Sequence, residues 1–254
     1  MLPAWSAFPA GICIATVVMT VGFGGGILWM PFLLIGLKLD PGTAILTSLL
    51  IQTTGTASGT FANIRHKRTD NRLALLLLAI AIPGVTLGAF IAHRLTLSHI
   101  ELIIGVVSLT TALLFVSSNQ KYDEEGQSRV DPRAAVRHSW IAAVAAVASG
   151  MLTINIGEWL VPIMRKKMQL RMSTAIATCI MVTFGLSLLG ALSHLALSSR
   201  PNWPILLWAM PGVMIGGQLG ARLVTQIDER LLKELFIFIL TLIGIHLVYS
   251  SYPG

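Results

Sequence analysis

The chain has 254 residues, 54% of them hydrophobic and 11% charged, with a mean hydropathy of +0.77. Those proportions exclude an ordinary soluble domain and predict an all-α polytopic membrane protein. The formal charge of +7 could suit a nucleic-acid binder, but the basic residues sit in short loops between apolar runs, where positive-inside topology explains them. No nucleic-acid partner is expected.

The N-terminus, Met1 to Trp5, lacks the basic region of a secretory signal, so the first apolar segment, about residues 8–36, is expected to be retained. It carries Gly22-Phe23-Gly24-Gly25-Gly26 between Ile12–Val21 and Ile27–Leu37. Four glycines in five residues do not make an ordinary membrane helix. Glycine permits unusual dihedrals and close backbone approach, and non-helical backbone at membrane depth persists only where it is buried in protein or lines a cavity. Gly22, Gly24, Gly25 and Gly26 are therefore the first candidate binding residues.

Conventional apolar segments follow at about 41–63, 72–93 and 99–118, most near the roughly 20 residues that cross a bilayer. Asn119 to His138, with Asp123-Glu124-Glu125-Gly126 and Asp131-Pro132, reads as a polar cytoplasmic linker. A second long segment, about 139–164, is interrupted by Thr153-Ile154-Asn155-Ile156-Gly157-Glu158, and three more follow at about 171–197, 203–224 and 231–250. Cys13 and Cys179 both fall inside apolar segments and read as buried, inert thiols rather than a disulfide.

The chain reads as a duplication. At an offset of 131, Pro31 meets Pro162, Thr43 to Thr47 meet Thr174 to Thr178, and Gly59 meets Gly190. At an offset of 128, Ile82 to Ala89 meet Met210 to Gly217, and Arg94 meets Arg222. Residues 1–118 are then a first repeat, 119–138 the linker and 139–254 a second repeat. Repeats are a common construction of secondary transporters, with the site at the repeat interface near the midplane.

Counting Lys and Arg by loop bears on what the two long opening segments do. If each spans once, the two sides carry nine basic residues each, which gives no orientation. If each turns back at its special stretch as a re-entrant hairpin, of about residues 6–37 and 138–167, the sides carry fifteen and three. The second arrangement obeys the positive-inside rule and makes the two repeats inverted, with hairpin arms of about 12 residues.

In such a hairpin the returning arm begins near Gly26 in one half and near Gly157 in the other. Its first N–H groups and the positive end of its dipole suit an anion. Glycines that merely allow close helix packing are the competing explanation. Gln52, Thr53 and Thr54 in the first half, with Thr183 and Ser187 in the second, could line the same cavity, although a hydroxyl bonded to its own helix is equally expected of each. Asn155 and Gly157 belong to the second tip.

Glu158 replaces the apolar Ile27 of the first half at membrane depth, where a carboxylate is costly and usually functional. It reads as a proton-coupling group, an ion-pair partner, or a residue facing water. His194 and His246 each stand alone inside apolar segments. No H-E-x-x-H or Cys/His cluster exists, Ile27 breaks the dinucleotide fingerprint, and no phosphate-loop Lys follows, so neither catalysis, a metal nor a cofactor is expected. A small anion, the lipid bilayer and a coupling proton are the expected partners, and a homodimer stays open.

These residues resemble the TauE/SafE-type sulfite exporters, also called the 4-toluene sulfonate uptake permease family. The resemblance lies in Gly22 to Gly26 followed by Pro31, in Thr47-Ser48 opening the next span, in the basic loop Arg65 to Arg72, and in Pro83 to Ala89. It covers nearly the whole chain as two repeats, with the second degenerate at Asn155-Ile156-Gly157-Glu158. It implies a permease of the prokaryotic cytoplasmic membrane for sulfite, sulfonates or related sulfur-containing anions, often exporting them. An anion channel built on the same dipoles is the alternative.

Overall fold

The computed structural model describes residues 2–21, 25–117, 126–130, 135–137, 139–154, 157–223 and 229–251. Among them the regular elements are helical. A short turn, Ala4–Ser6, leads into α1 (Ala7–Val21). Then come α2 (Gly26–Pro31), α3 (Pro41–Arg65), α4 (Asn71–Ala92), α5 (Leu97–Ser117), α6 (Trp140–Leu152), α7 (Gly157–Lys166), α8 (Met172–Ala196), α9 (Trp203–Leu223) and α10 (Glu229–Ser251). Helices α4 and α8 are long and apolar enough to cross a membrane, with mean hydropathies of 2.4 and 2.1.

The returning arm of the first opening segment is helical over Gly26–Gly36, six residues of α2 followed by five in a widened turn, close to the arms of about 12 residues expected from sequence; α1 has 15 residues. Pro31 causes the widening: it has no N–H to return to the Ile27 carbonyl, and the next turn closes over five residues, Leu37 N to Phe32 O at 3.1 Å. One correction concerns the thiols. Cys179 is buried, but Cys13 is exposed on the flank of α1.

Local chemistry starts the long helices. Asp40 caps α3, its Oδ2 accepting from Thr43 N at 2.9 Å, with Pro41 in the first turn. Asp70 caps α4 through Oδ1, which accepts from Leu73 N at 3.2 Å, while its Oδ2 accepts from Val130 N at 3.0 Å. Asn202 caps α9 through its carbonyl oxygen, accepting from Ile205 N at 3.2 Å. A carboxylate has two accepting oxygens and an amide one, which matches Asp at the cap that receives two donors.

Backbone detail recurs at a spacing of 131 residues. Lys38 and Gln169 share a left-handed φ of 53°, and Lys67 and Ser198 share values of 54° and 67°. The bonds Leu37 N to Phe32 O and Leu39 N to Leu33 O reappear as Met168 N to Ile163 O and Leu170 N to Met164 O. The cap residues behave alike: Asp70 N donates to Thr178 Oγ1 at 3.0 Å, and Asn202 N donates to Thr47 Oγ1 at 3.1 Å.

Helix packing follows the same exchange. Gly84 and Gly88 of α4 lie on the carbonyls of Ala143 and Val147 of α6, and Gly212 and Gly216 of α9 lie on those of Phe8 and Ile12 of α1. Each Pro-Gly-x-x-x-Gly segment is thus a face on which an opening helix rests backbone to backbone, as small residues allow. Residue numbers rise together across both contacts, so these pairs run parallel. Helices α3 and α8 run antiparallel, with Thr53 against Ser187 and Gly59 against Ile180. So do α5 and α10, with Glu101 bonded to Ser250 and Gly105 against Gly244. Swapping α1, α3, α4 and α5 for α6, α8, α9 and α10 leaves this pattern unchanged.

Two further contacts fix where the ends lie. Leu2 N donates to Gly36 O at 3.1 Å, so the entry to α1 sits beside the exit of the arm begun by α2. At the opposite end Gln127 N donates to Gln169 O at 2.8 Å and Gln127 O accepts from Arg171 N at 2.9 Å, while Val130 N donates to Asp70 Oδ2. The loops around Arg65–Arg72 and Arg165–Arg171 therefore share one end with residues 126–130. Lys38, Arg94 and Arg200 sit at the other, where Gly42 neighbours Ser199. The flanks between are apolar, with Leu87, Phe90, Leu113, Leu207 and Phe238 exposed.

Candidate functional site

The two interrupted segments meet. Gly26, the first residue of α2, is packed so closely on Thr153, just past the end of α6, that a Cβ there would overlap the Thr153 carbonyl and stand 2.8 Å from its Oγ1. Gly25 carries the first bonds of α2, its carbonyl accepting from Leu28 N at 3.1 Å and Trp29 N at 2.9 Å. The leading N–H groups of α2 thus start beside the second half's tip.

Thr153 is buried and left-handed, with φ 60° and ψ 16°. For a β-branched residue that is an outlier, of a kind that costs on the order of 1–3 kcal/mol and gathers at functional sites. Three contacts hold it: its N–H donates to Ser149 O at 2.9 Å, its Oγ1 accepts from Ser48 Oγ at 3.2 Å, and Gly26 lies on its carbonyl. One turn earlier, His194 Nε2 lies 2.9 Å from Gly150 O, closing the end of α6 from α8. That nitrogen is satisfied, whereas His194 Nδ1 is buried without a partner among the described residues.

From Ser48 a polar stripe runs along α3 at every fourth residue, Ser48, Gln52, Thr56 and Thr60, all buried. Helix α8 faces it with Thr183 and Ser187, also buried. Thr53 Oγ1 lies 3.0 Å from Ser187 Oγ and 2.7 Å from Leu49 O, so it serves both its own helix and the opposite one. Thr54 is bonded to its own helix at Leu50 O, 3.0 Å. Gln52 is 6% exposed, and its Nε2 donor has no hydrogen-bond partner among the described residues.

Of the residues singled out from sequence, Gly25, Gly26, Gln52 and Thr53 fall around this junction, with Thr183 on the facing helix. Gly157 is buried at the start of α7. Gly22, Gly24 and Asn155 lie outside the described residues, and so does the side chain of Glu158, whose backbone opens α7. His246 is exposed on α10. Arg94 is exposed and lies over the Phe90 ring at 5.2 Å. Among the described residues no three His, Cys, Asp or Glu come together as a metal site. The sequence marks Thr153 as the start of the second interrupted stretch and Ser48 in the resemblance, but neither they nor Thr56 were expected to be binding residues. The fourfold spacing of polar residues after Ser48 was the available signal for the stripe.

Comparison with known proteins adds to this geometry. The family described as "Sulfite exporter TauE/SafE" matches residues 7–247. A "Probable membrane transporter protein YunE" of Bacillus subtilis (strain 168) is 26% identical over 262 residues, covering 95% of this chain and 96% of its own. A "Probable membrane transporter protein" of Xylella fastidiosa (strain Temecula1 / ATCC 700964) is 24% identical over 238 residues, covering 92% and 90% respectively. No solved structure matches.

Proposed function

The chain belongs to the sulfite exporter TauE/SafE family, and from that premise we propose that it is a multi-pass secondary transporter of a prokaryotic cytoplasmic membrane, carrying a small sulfur oxyanion such as sulfite or a sulfonate. The family and the relatives are described as transporters, not enzymes. The observation that carries the site is the junction of the two broken segments, Gly26 on Thr153, beside the unpartnered donor of Gln52.

The chemistry fits an oxyanion. The start of α2 offers N–H groups and positive dipole, Gln52 Nε2 offers two N–H donors, and the hydroxyls of Ser48, Thr53, Thr183 and Ser187 can turn to donate. None of these brings a full positive charge, so an anion would be held by dipoles and could leave again. Asn155 and Gly157 would complete the site from the second half.

The two halves act here as inverted repeats, each opening with a re-entrant hairpin. The parallel pairing of α1 with α9 and of α4 with α6, the antiparallel α3 and α8, and the Leu2–Gly36 bond all support this. The gathering of the basic loops at one end supports a cytoplasmic location for that end. Export toward the other side and coupling to protons through Glu158 complete the proposal, the latter because a carboxylate at that depth is expensive unless it titrates.

Uptake of labelled sulfite into proteoliposomes tests it. Saturable flux that responds to an imposed pH gradient is expected, weakened in Glu158→Gln. Absence of saturable flux for sulfite and for short sulfonates would overturn the assignment. Flux indifferent to the gradient in both proteins would remove the coupling role.

A further inference from the structure

The last member of the α3 stripe, Thr60, is not explained by the junction. It lies eight residues beyond Gln52, about 12 Å along the helix, on the side of the basic loops. It is 6% exposed, and its Oγ1 has no partner among the described residues. The other threonines of this stretch behave differently: Thr53, Thr54 and Thr56 all return their hydroxyls to the carbonyl four residues back, at 2.7, 3.0 and 2.7 Å. Thr60 forgoes that bond to Thr56. A hydroxyl shut away from lipid and water, and not bonded to its own helix, is a group kept available for something else.

Its neighbours narrow what that is. Thr60 shares a helix face with Gln52, whose Nε2 is likewise unpartnered, and Gly59 beside it packs on Ile180 of α8. Two unpartnered polar atoms therefore lie on one buried face of α3, next to the residues Thr53 and Gly59 that pack on α8, one near the tips and one displaced toward the end that carries Arg65 to Arg72. We propose that Thr60 forms a second station for the transported oxyanion, on its path between the central junction and the basic end. This rests on the transporter assignment above. A hydroxyl donor and no fixed charge suits brief residence of an anion drawn on by the basic loops.

Thr60→Val keeps the side-chain shape and removes the hydroxyl. Removing an unpartnered buried hydroxyl should raise the detergent-solubilised protein's Tm by about 2–4 °C. In proteoliposomes the maximal rate of labelled sulfite uptake should nevertheless fall about tenfold, the loss of roughly one hydrogen bond, with the half-saturating concentration changed less than about twofold. Thr60→Ser should recover most of the rate. A Val variant that transports at the parental rate, a Ser variant as slow as Val, or a Val variant that melts lower would each overturn the station. Parental protein that moves neither sulfite nor a short sulfonate would overturn the transporter assignment first, and this with it.

Discussion

Gly26→Ala is expected to abolish transport and to cost stability, because its new methyl group would coincide with the Thr153 carbonyl. The obstacle is backbone, already fixed by a buried left-handed residue, so it cannot swing aside as a flexible side chain would. Overpacking of this kind costs about 3 kcal/mol, equivalent to a Tm lower by roughly 6–12 °C for a chain of this size. Relief by parting the two tips would dismantle the proposed site, so uptake should drop below about a tenth even in protein that remains folded. Gly55→Ala is the control. Nothing lies within 4 Å of that methyl position, and alanine inside a helix should be neutral or stabilising by about 0.5–1 kcal/mol. Near-parental melting and uptake for Gly26→Ala would mean that the close approach of the tips is not needed.

Gln52→Leu should separate stability from function more cleanly. The side chain is buried with its Nε2 unpartnered, so an apolar group of similar volume should leave the melting temperature unchanged or higher. If Nε2 donates to the bound anion, uptake should fall by about a hundredfold, since a site built around a polar contact discriminates strongly when that contact is removed. Gln52→Glu should be at least as damaging, because it sets a carboxylate against an anion. Measured sulfite uptake within about twofold of the parent for either variant would remove Gln52 from the site.

The sequence makes some of this legible and hides the rest for physical reasons. The apolar segments and the 131-residue register can be read directly, because a repeated loop needs repeated residue types: Thr47 and Thr178 each cap a neighbouring helix start, and Lys38 and Gln169 take the same left-handed turn. The Pro-Gly-x-x-x-Gly segments are visible as motifs, but their job, letting α1 and α6 rest on α9 and α4, depends on partners far away in the chain. Glycines at 25 and 26 point to close approach without saying to what. The answer, Thr153, is an ordinary residue in sequence, and its left-handed backbone comes from tertiary packing. The widened turn that follows α2 was available in Pro31, whose missing N–H interrupts the regular ladder. Thr60 could not be told from Thr56 by sequence, because they differ only in where the hydroxyl turns.

The re-entrant arrangement of both opening segments is the premise on which the junction's role depends. Cysteine accessibility in sealed right-side-out vesicles tests it, using single Lys67→Cys and Lys167→Cys variants in a background where Cys13 and Cys179 are replaced by alanine. Both positions are exposed in the basic loops. With re-entrant hairpins, an impermeant thiol reagent added outside should label neither until the vesicles are opened, and should then label both. If each opening segment instead crosses the membrane once, one position will react in intact vesicles and the other will not.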